Sequence, residues 1–142
     1  MDKKRLSRVL GLDFGERRIG LALSDPLGII AKPLTIIDRK KTVDHIARIS
    51  EIVSKKKITS IVIGLPLTLK GHYSKQTEIV LDFIDRLKSD LQIPVLTIDE
   101  RLSSVAAEKS LQAQGVKTGH EKGRVDETAA AIFLQEYLDT KS

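Results

Sequence analysis

The chain has no cysteine, which excludes disulfides, zinc–thiolate sites and thiol catalysis. Aromatic residues make up only 4%, too few for a platform on which successive single-stranded bases stack. No apolar run approaches the roughly 20 residues that span a bilayer. Val9–Phe14, the apolar stretch nearest the N-terminus, is too short for the core of a signal peptide. A Gly-x-x-x-x-Gly-Lys-Ser/Thr loop is also missing, so nucleotide binding of that type has no support. No internal repeat, low-complexity tract or linker divides the 142 residues. The expectation is one domain over 1–142, cytoplasmic and without membrane contact.

What is present is a soluble, globular composition, with 41% hydrophobic and 30% charged residues. The net charge is +5, from 24 Lys and Arg against 19 Asp and Glu, a mild lean towards polyanionic partners. Basic residues cluster at Lys3-Lys4-Arg5, Arg39-Lys40-Lys41, Lys55-Lys56-Lys57 and between Lys117 and Arg124. Solvated helix ends explain the third of these better than a partner does, because it follows a helical pattern and lysines favour a helix C-terminus.

Hydrophobic patterning orders the elements. Arg8 to Phe14, Ile19 to Ser24 and Ala31 to Ile37 read as three strands joined by Gly-containing turns, an antiparallel meander. Thr42 to Lys56 follows the helical period, with Asp44 expected in its first turn. Ile58 to Gly64 reads as a strand buried on both faces. A polar loop, a helix carrying Ile79, Val80, Phe83, Ile84 and Leu87, and a strand from Val95 to Ile98 follow. Ser103 and Ser104 can cap a helix running to Gln114. Val116 to Gly123 reads as a mobile loop, and a last helix is expected from about Arg124 to Leu138. The order βββαβαβα, with two helical segments in the last position, requires parallel pairing for strands 4 and 5. The predicted fold is α/β and ribonuclease H-like: a mixed five-stranded sheet with helices on both faces.

Three acids stand at element ends: Asp13 after strand 1, Glu100 after strand 5 and Asp126 at the start of the last helix. Taken singly, Asp13 could cap its turn, Glu100 could pair with Arg101, and Asp126 could serve the helix dipole. If strands 1, 4 and 5 are adjacent, however, the three can meet at one sheet edge. Hard oxygen ligands of this kind suit Mg²⁺ or Mn²⁺, which take further ligands from water and phosphate. Two such ions about 4 Å apart activate a water and stabilise the leaving oxygen of a phosphodiester.

Four collinear motifs carry a family resemblance. They are Leu10-Gly11-Leu12-Asp13-Phe14-Gly15 with Arg18-Ile19-Gly20-Leu21-Ala22, and Val62-Ile63-Gly64-Leu65-Pro66-Leu67 with Gly71. Asp99-Glu100-Arg101-Leu102-Ser103-Ser104 with Ala106-Ala107-Glu108, and Val125-Asp126 with Ala129-Ala130, complete the set. Together they resemble the YqgF, or RuvX-like, family. The resemblance implies a metal-dependent nuclease that matures the 5′ end of precursor 16S ribosomal RNA, with cleavage of branched DNA as the alternative. It implies that Asp13, Glu100 and Asp126 hold Mg²⁺ or Mn²⁺ as the catalytic acids. It also implies a nucleic-acid groove lined by Arg18, the Leu65 to Ser74 loop with Lys70 and Ser74, Arg101, and Lys117, Lys122 and Arg124. Partners would be structured RNA, including ribosome-associated precursor RNA, or branched DNA, acted on by a monomer or a homodimer.

Two departures from the pattern bear on substrate. Junction resolvases with four carboxylates carry another acid three residues after the last; here that position is Ala129, and Glu127 points about 100° away. The loop before Asp126 is also less densely basic than the family suggests. Two rival readings remain at this point. A sugar kinase or actin-like ATPase also opens with an Asp-x-Gly hairpin but needs two domains around its cleft. A non-catalytic RNA- or protein-binding module would keep the fold without turnover.

Overall fold

The computed structural model describes residues 7–102 and 122–141. Its central strand is β1, Val9–Phe14, in which all six residues are buried. A strand covered on both faces needs apolar or very small side chains throughout, and only Asp13 departs from that. β2 (Arg18–Ser24) folds back on β1 through a turn in which Gly15 N–H donates to Arg18 O. β3 (Ala31–Asp38) pairs antiparallel with β2 and forms one sheet edge, where Pro33 is tolerated.

Two helical crossovers then build the other half. α1 (His45–Lys56) leads into β4 (Ser60–Leu65), parallel to β1; α2 (Lys75–Asp90) leads into β5 (Val95–Asp99), parallel to β4. A 3₁₀ turn at Glu100–Leu102 follows, and the last described helix, α3, spans Lys122–Lys141. The sheet order is β3-β2-β1-β4-β5. This is the mixed five-stranded sheet that element order predicts, with strands 1, 4 and 5 adjacent.

Strand alternation divides the core into two layers. Leu10, Leu12 and Phe14 point to one face, where they pack with Ile46, Ile49 and Ile52 of α1 and Val80, Phe83, Ile84 and Leu87 of α2. Val9 lies on the other face with Val62, Ala22 and the α3 residues Ala130, Leu134 and Leu138. Glycine sets the close approach of α3. A Cβ at Gly11 would stand 2.9 Å from Leu134 Cβ and 3.0 Å from Ala130 O, and one at Gly64 would stand 2.6 Å from the Phe133 ring.

Two boundaries differ from the sequence expectation. α1 starts at His45, not Thr42, because Asp44 is its N-cap and accepts from Ala47 N–H at 3.0 Å. Val43, which fits the helical period, therefore lies outside the helix and is fully exposed. α3 begins at Lys122, so Lys122 and Gly123 are helical rather than loop, and Asp126 falls in the second turn. The helix expected from Ser103 to Gln114, and residues 116–121 of the expected loop, lie outside the described residues. No helix among those described is long and apolar enough to cross a membrane.

Candidate active site

Asp13 is 2% exposed, on a strand whose other side chains are apolar or absent. Because side chains alternate, Asp13 shares the α3 face with Val9 and Gly11. Its neighbours across the sheet are small. Gly20 is its partner on β2, and Gly64 is the next residue after the Leu12–Ile63 pair on β4. Neither offers a side chain beside the carboxylate, and Phe133 lies over Gly64. Ala129 and Phe133 close this part of the face with Ile98 of β5.

β5 brings a second pair of acids to the same end of the sheet. Asp99 is in register with Leu65, while Ile98 is in register with Gly64. Ile98 and Asp13 therefore share a face, and Asp99 belongs to the opposite one. Asp99 is also engaged. Its Oδ2 accepts from Arg101 Nη2 at 2.7 Å, and its Oδ1 accepts from Arg101 N–H at 2.9 Å and Nε at 3.1 Å. The side-chain hydrogen bonds from Arg101 hold the Asp99 carboxyl below the usual carboxylate range, and the same bonds raise the guanidinium of Arg101. The local ion pair that sequence offered to Glu100 is thus made by Asp99 instead. Glu100, half-buried, opens the 3₁₀ turn immediately beyond β5.

Arg101 has a further partner. Its Nη1 donates to Leu69 O at 3.2 Å, and it packs so closely on Gly71 that a Cβ there would lie 3.3 Å from Nη1. Gly71 has φ +85, a left-handed conformation that suits glycine. The loop between β4 and α2 is itself well tied. Gly71 N–H donates to Thr68 O at 2.8 Å, His72 N–H to Thr68 Oγ1 at 2.9 Å, and Thr77 Oγ1 to Pro66 O. Arg101 therefore fastens this loop to the end of β5, a role that sequence reasoning, which assigned it to the groove, did not reveal.

The remaining predicted residues are distributed as follows. Lys70 is exposed at the tip of the fastened loop, and Arg18 is half-buried at the start of β2, opposite Asp38. Ser74 caps α2: its Oγ accepts from Thr77 N–H at 3.2 Å, while Thr77 Oγ1 accepts from Ser74 N–H at 2.9 Å. Asp126 lies on α3 one turn before Ala130, which sits over Gly11. That turn continues α3 in the direction in which β1 runs from Gly11 to Asp13. The side chains of Asp126, Lys122 and Arg124, and all of Lys117, lie outside the described residues. Among those described, no group of three or more His, Asp or Glu side chains could hold a metal ion; Asp13 and Glu100 are two of the expected three.

The sheet order, the crossovers and the helices on both faces define a ribonuclease H-like protein. Thermus thermophilus RuvC, solved in complex with a Holliday junction substrate, matches with a TM-score of 0.59 at 17% identity, covering 95% of each chain. The fowlpox virus Holliday junction resolvase matches at 0.51 and 12% identity, covering 95% of this chain and 99% of that one. At such identities the likeness speaks for the fold alone. Residues 7–140 match RuvX, described as Holliday junction resolvase, and the chain belongs to this family of nucleases. A relative from Chloroflexus aurantiacus is 46% identical over 133 residues, covering 94% of this chain and 87% of its own length. One from Desulforamulus reducens is 43% identical over 133 residues, covering 94% and 97%. Both are named "Putative pre-16S rRNA nuclease".

Proposed function

We propose that this chain hydrolyses phosphodiester bonds in structured RNA and matures the 5′ end of precursor 16S ribosomal RNA in the cytoplasm, using Mg²⁺ or Mn²⁺. The observation that carries this reading is Asp13, a carboxylate 2% exposed at the end of the central strand, two strands from Glu100. The donor set fits a hard divalent ion: Asp13, Glu100 and Asp126 would supply only oxygen ligands. Two ions held there would lower the pKa of the attacking water and stabilise the leaving oxygen. Asp13, on the most rigid element, would help to hold them. Lys70, Lys117, Lys122 and Arg124 would neutralise backbone phosphates and orient the strand without reading its sequence. Arg18 would lie beside the groove, Ser74 would hold the start of α2 next to it, and Arg101 would set the position of Lys70.

The second reading, resolution of branched DNA, is favoured by the family description. Against it stands Ala129, 3% exposed in an apolar cluster with Phe133, where a fourth carboxylate would have to be. Cleavage of precursor 16S RNA and of a four-way DNA junction should be compared with and without Mg²⁺, alongside Asp13→Asn and Asp126→Asn. Metal-dependent cutting of the RNA that both substitutions abolish is expected. Cutting of the junction alone would transfer the assignment to branched DNA, where a homodimer measured by solution mass would allow paired cuts. No metal-dependent cutting of either substrate would leave only a binding module.

A further inference from the structure

Phe14 follows Asp13 in sequence and faces the opposite side of the sheet, towards α1 and α2. Its ring lines a pocket of about 250 Å³ shared with Phe83, Arg39, His45, Asp82 and Arg86. The guanidinium of Arg39 lies 4.4 Å from the centroid of that ring, and its Nη1 donates to Gly15 O at 2.9 Å and Glu16 O at 2.7 Å. Arg39 Nε is buried and has no hydrogen-bond partner among the described residues. A buried donor in that condition calls for an acceptor. Arg86 and Asp82, on α2, likewise make no hydrogen bond or ion pair among the described residues. His45, the first residue of α1, meets Arg39 O through Nε2 at 3.2 Å, which leaves Nδ1 for another partner.

We propose that this pocket binds a phosphodiester group of a nucleic-acid backbone. Guanidinium groups match the paired oxygens of a phosphate, and the two here come from separate elements. Charge selects the kind of phosphate. Two guanidiniums against the single carboxylate of Asp82 leave one net positive charge, which suits a monoanionic diester. Free inorganic phosphate, a mixture of mono- and dianion near neutral pH, carries more negative charge than the one net positive charge of the pocket balances. The pocket opens at the end of β1 that carries Asp13 but on the other sheet face, so its phosphate would lie some nucleotides away from the one at Asp13. It would anchor the strand while the chemistry proceeds elsewhere. The inference uses the nuclease reading only for the identity of the strand, since its test needs no cleavage.

Binding of a short RNA hairpin should be measured in EDTA, with the ring resonances of His45 followed by NMR, for the full chain and for Arg86→Gln. Arg86 makes no hydrogen bond or ion pair among the described residues, so this variant is expected to fold normally. The RNA should shift His45, and Arg86→Gln should weaken binding and lower the slope of log K against log salt by about one. Inorganic phosphate should leave His45 unmoved in the unaltered protein and shift it once Asp82 is replaced by Asn. Unchanged affinity and slope in Arg86→Gln, or an unmoved His45 with RNA, would overturn the site. Inorganic phosphate shifting His45 where RNA does not would overturn the backbone phosphodiester as its ligand. Absence of cleavage in a separate assay, with these binding results intact, would remove the nuclease reading and leave the pocket standing.

Discussion

At opposite ends of the sheet, carboxylates leave their strands in very different settings. Beyond β2, the side chain of Asp25 accepts from Leu27 N–H at 3.3 Å, Ile29 N–H at 2.7 Å and Ile30 N–H at 2.8 Å. These bonds, that of Ile30 foremost, hold its carboxyl below the ordinary range. Gln135 of α3 secures the same turn by donating to Ile29 O and accepting from Ala31 N–H, each at 2.9 Å. Asp25 is therefore consumed by its own loop. At the end of β5, Asp99 is consumed by Arg101. Asp13 lies within the strand, on the α3 face, flanked by glycines on both neighbouring strands. An acid at a strand end is thus no sign of a site in itself. Which face it points to, and whether neighbouring side chains leave room beside it, separates a turn clamp from a candidate ligand.

Substitution can break this contrast, and the largest effect is expected at Asp13. Asp13→Asn should lower metal-dependent cleavage about a thousandfold, equivalent to ~4 kcal/mol of activation energy. Asp25→Asn should cut at the unaltered rate. Equal losses in the two variants would mean that Asp13, too, serves only the fold.

Packing over the Asp13 end comes next. Gly64→Val would drive a side chain into Phe133, where even a Cβ lies 2.6 Å from the ring. Urea unfolding should show a loss of about 1–3 kcal/mol. The same substitution at Gly71, away from the core, should instead act through backbone strain at φ +85 together with the Arg101 contact, and leave the m-value unchanged.

A smaller and more selective effect is expected at Arg101. If it positions the loop, Arg101→Gln should raise KM through Lys70, and Lys should not restore it because it lacks the planar fork. Lys70→Ala, as a phosphate contact, should raise KM and flatten the salt dependence, and adding Arg101→Gln to it should cost nothing more. A further rise in KM in the double variant would return Arg101 to the groove.

The smallest effect concerns pH. The Asp25 carboxyl titrates lower folded than unfolded, where its pKa is about 3.9. Its contribution to stability is therefore complete above that value and is lost as pH falls through the lowered folded value. Acid unfolding of Asp25→Asn should accordingly show a shallower decline below about pH 4 than the unaltered chain. Asp99 acts with the same sign, so replacing it as well should make the decline shallower still.

Much of this architecture is legible in residues 7–102. The antiparallel meander, the buried β4 run and the apolar stripe of α2 follow from short-range period and turn chemistry. The start of α1 is not, because Val43 fits the period and only the capping bond of Asp44 reveals that the helix has yet to begin. The partner of Arg101 is equally hidden. Whether it reaches the acid one or two residues back depends on how the chain turns out of β5. Arg39 reads as part of a basic run, and nothing local connects it to Arg86 on a different helix.

By itself, then, the sequence determined the element order, the ribonuclease H-like class, family membership and the placing of Asp13 in an apolar strand. Each rests on local pattern or collinear motif. Only the tertiary structure decided that Asp99 is spent on Arg101, that Asp25 is spent on its turn, and that Arg39, His45 and Arg86 share a pocket. Those outcomes depend on strand register and on which helices cover which face, and both emerge only when distant segments pack together.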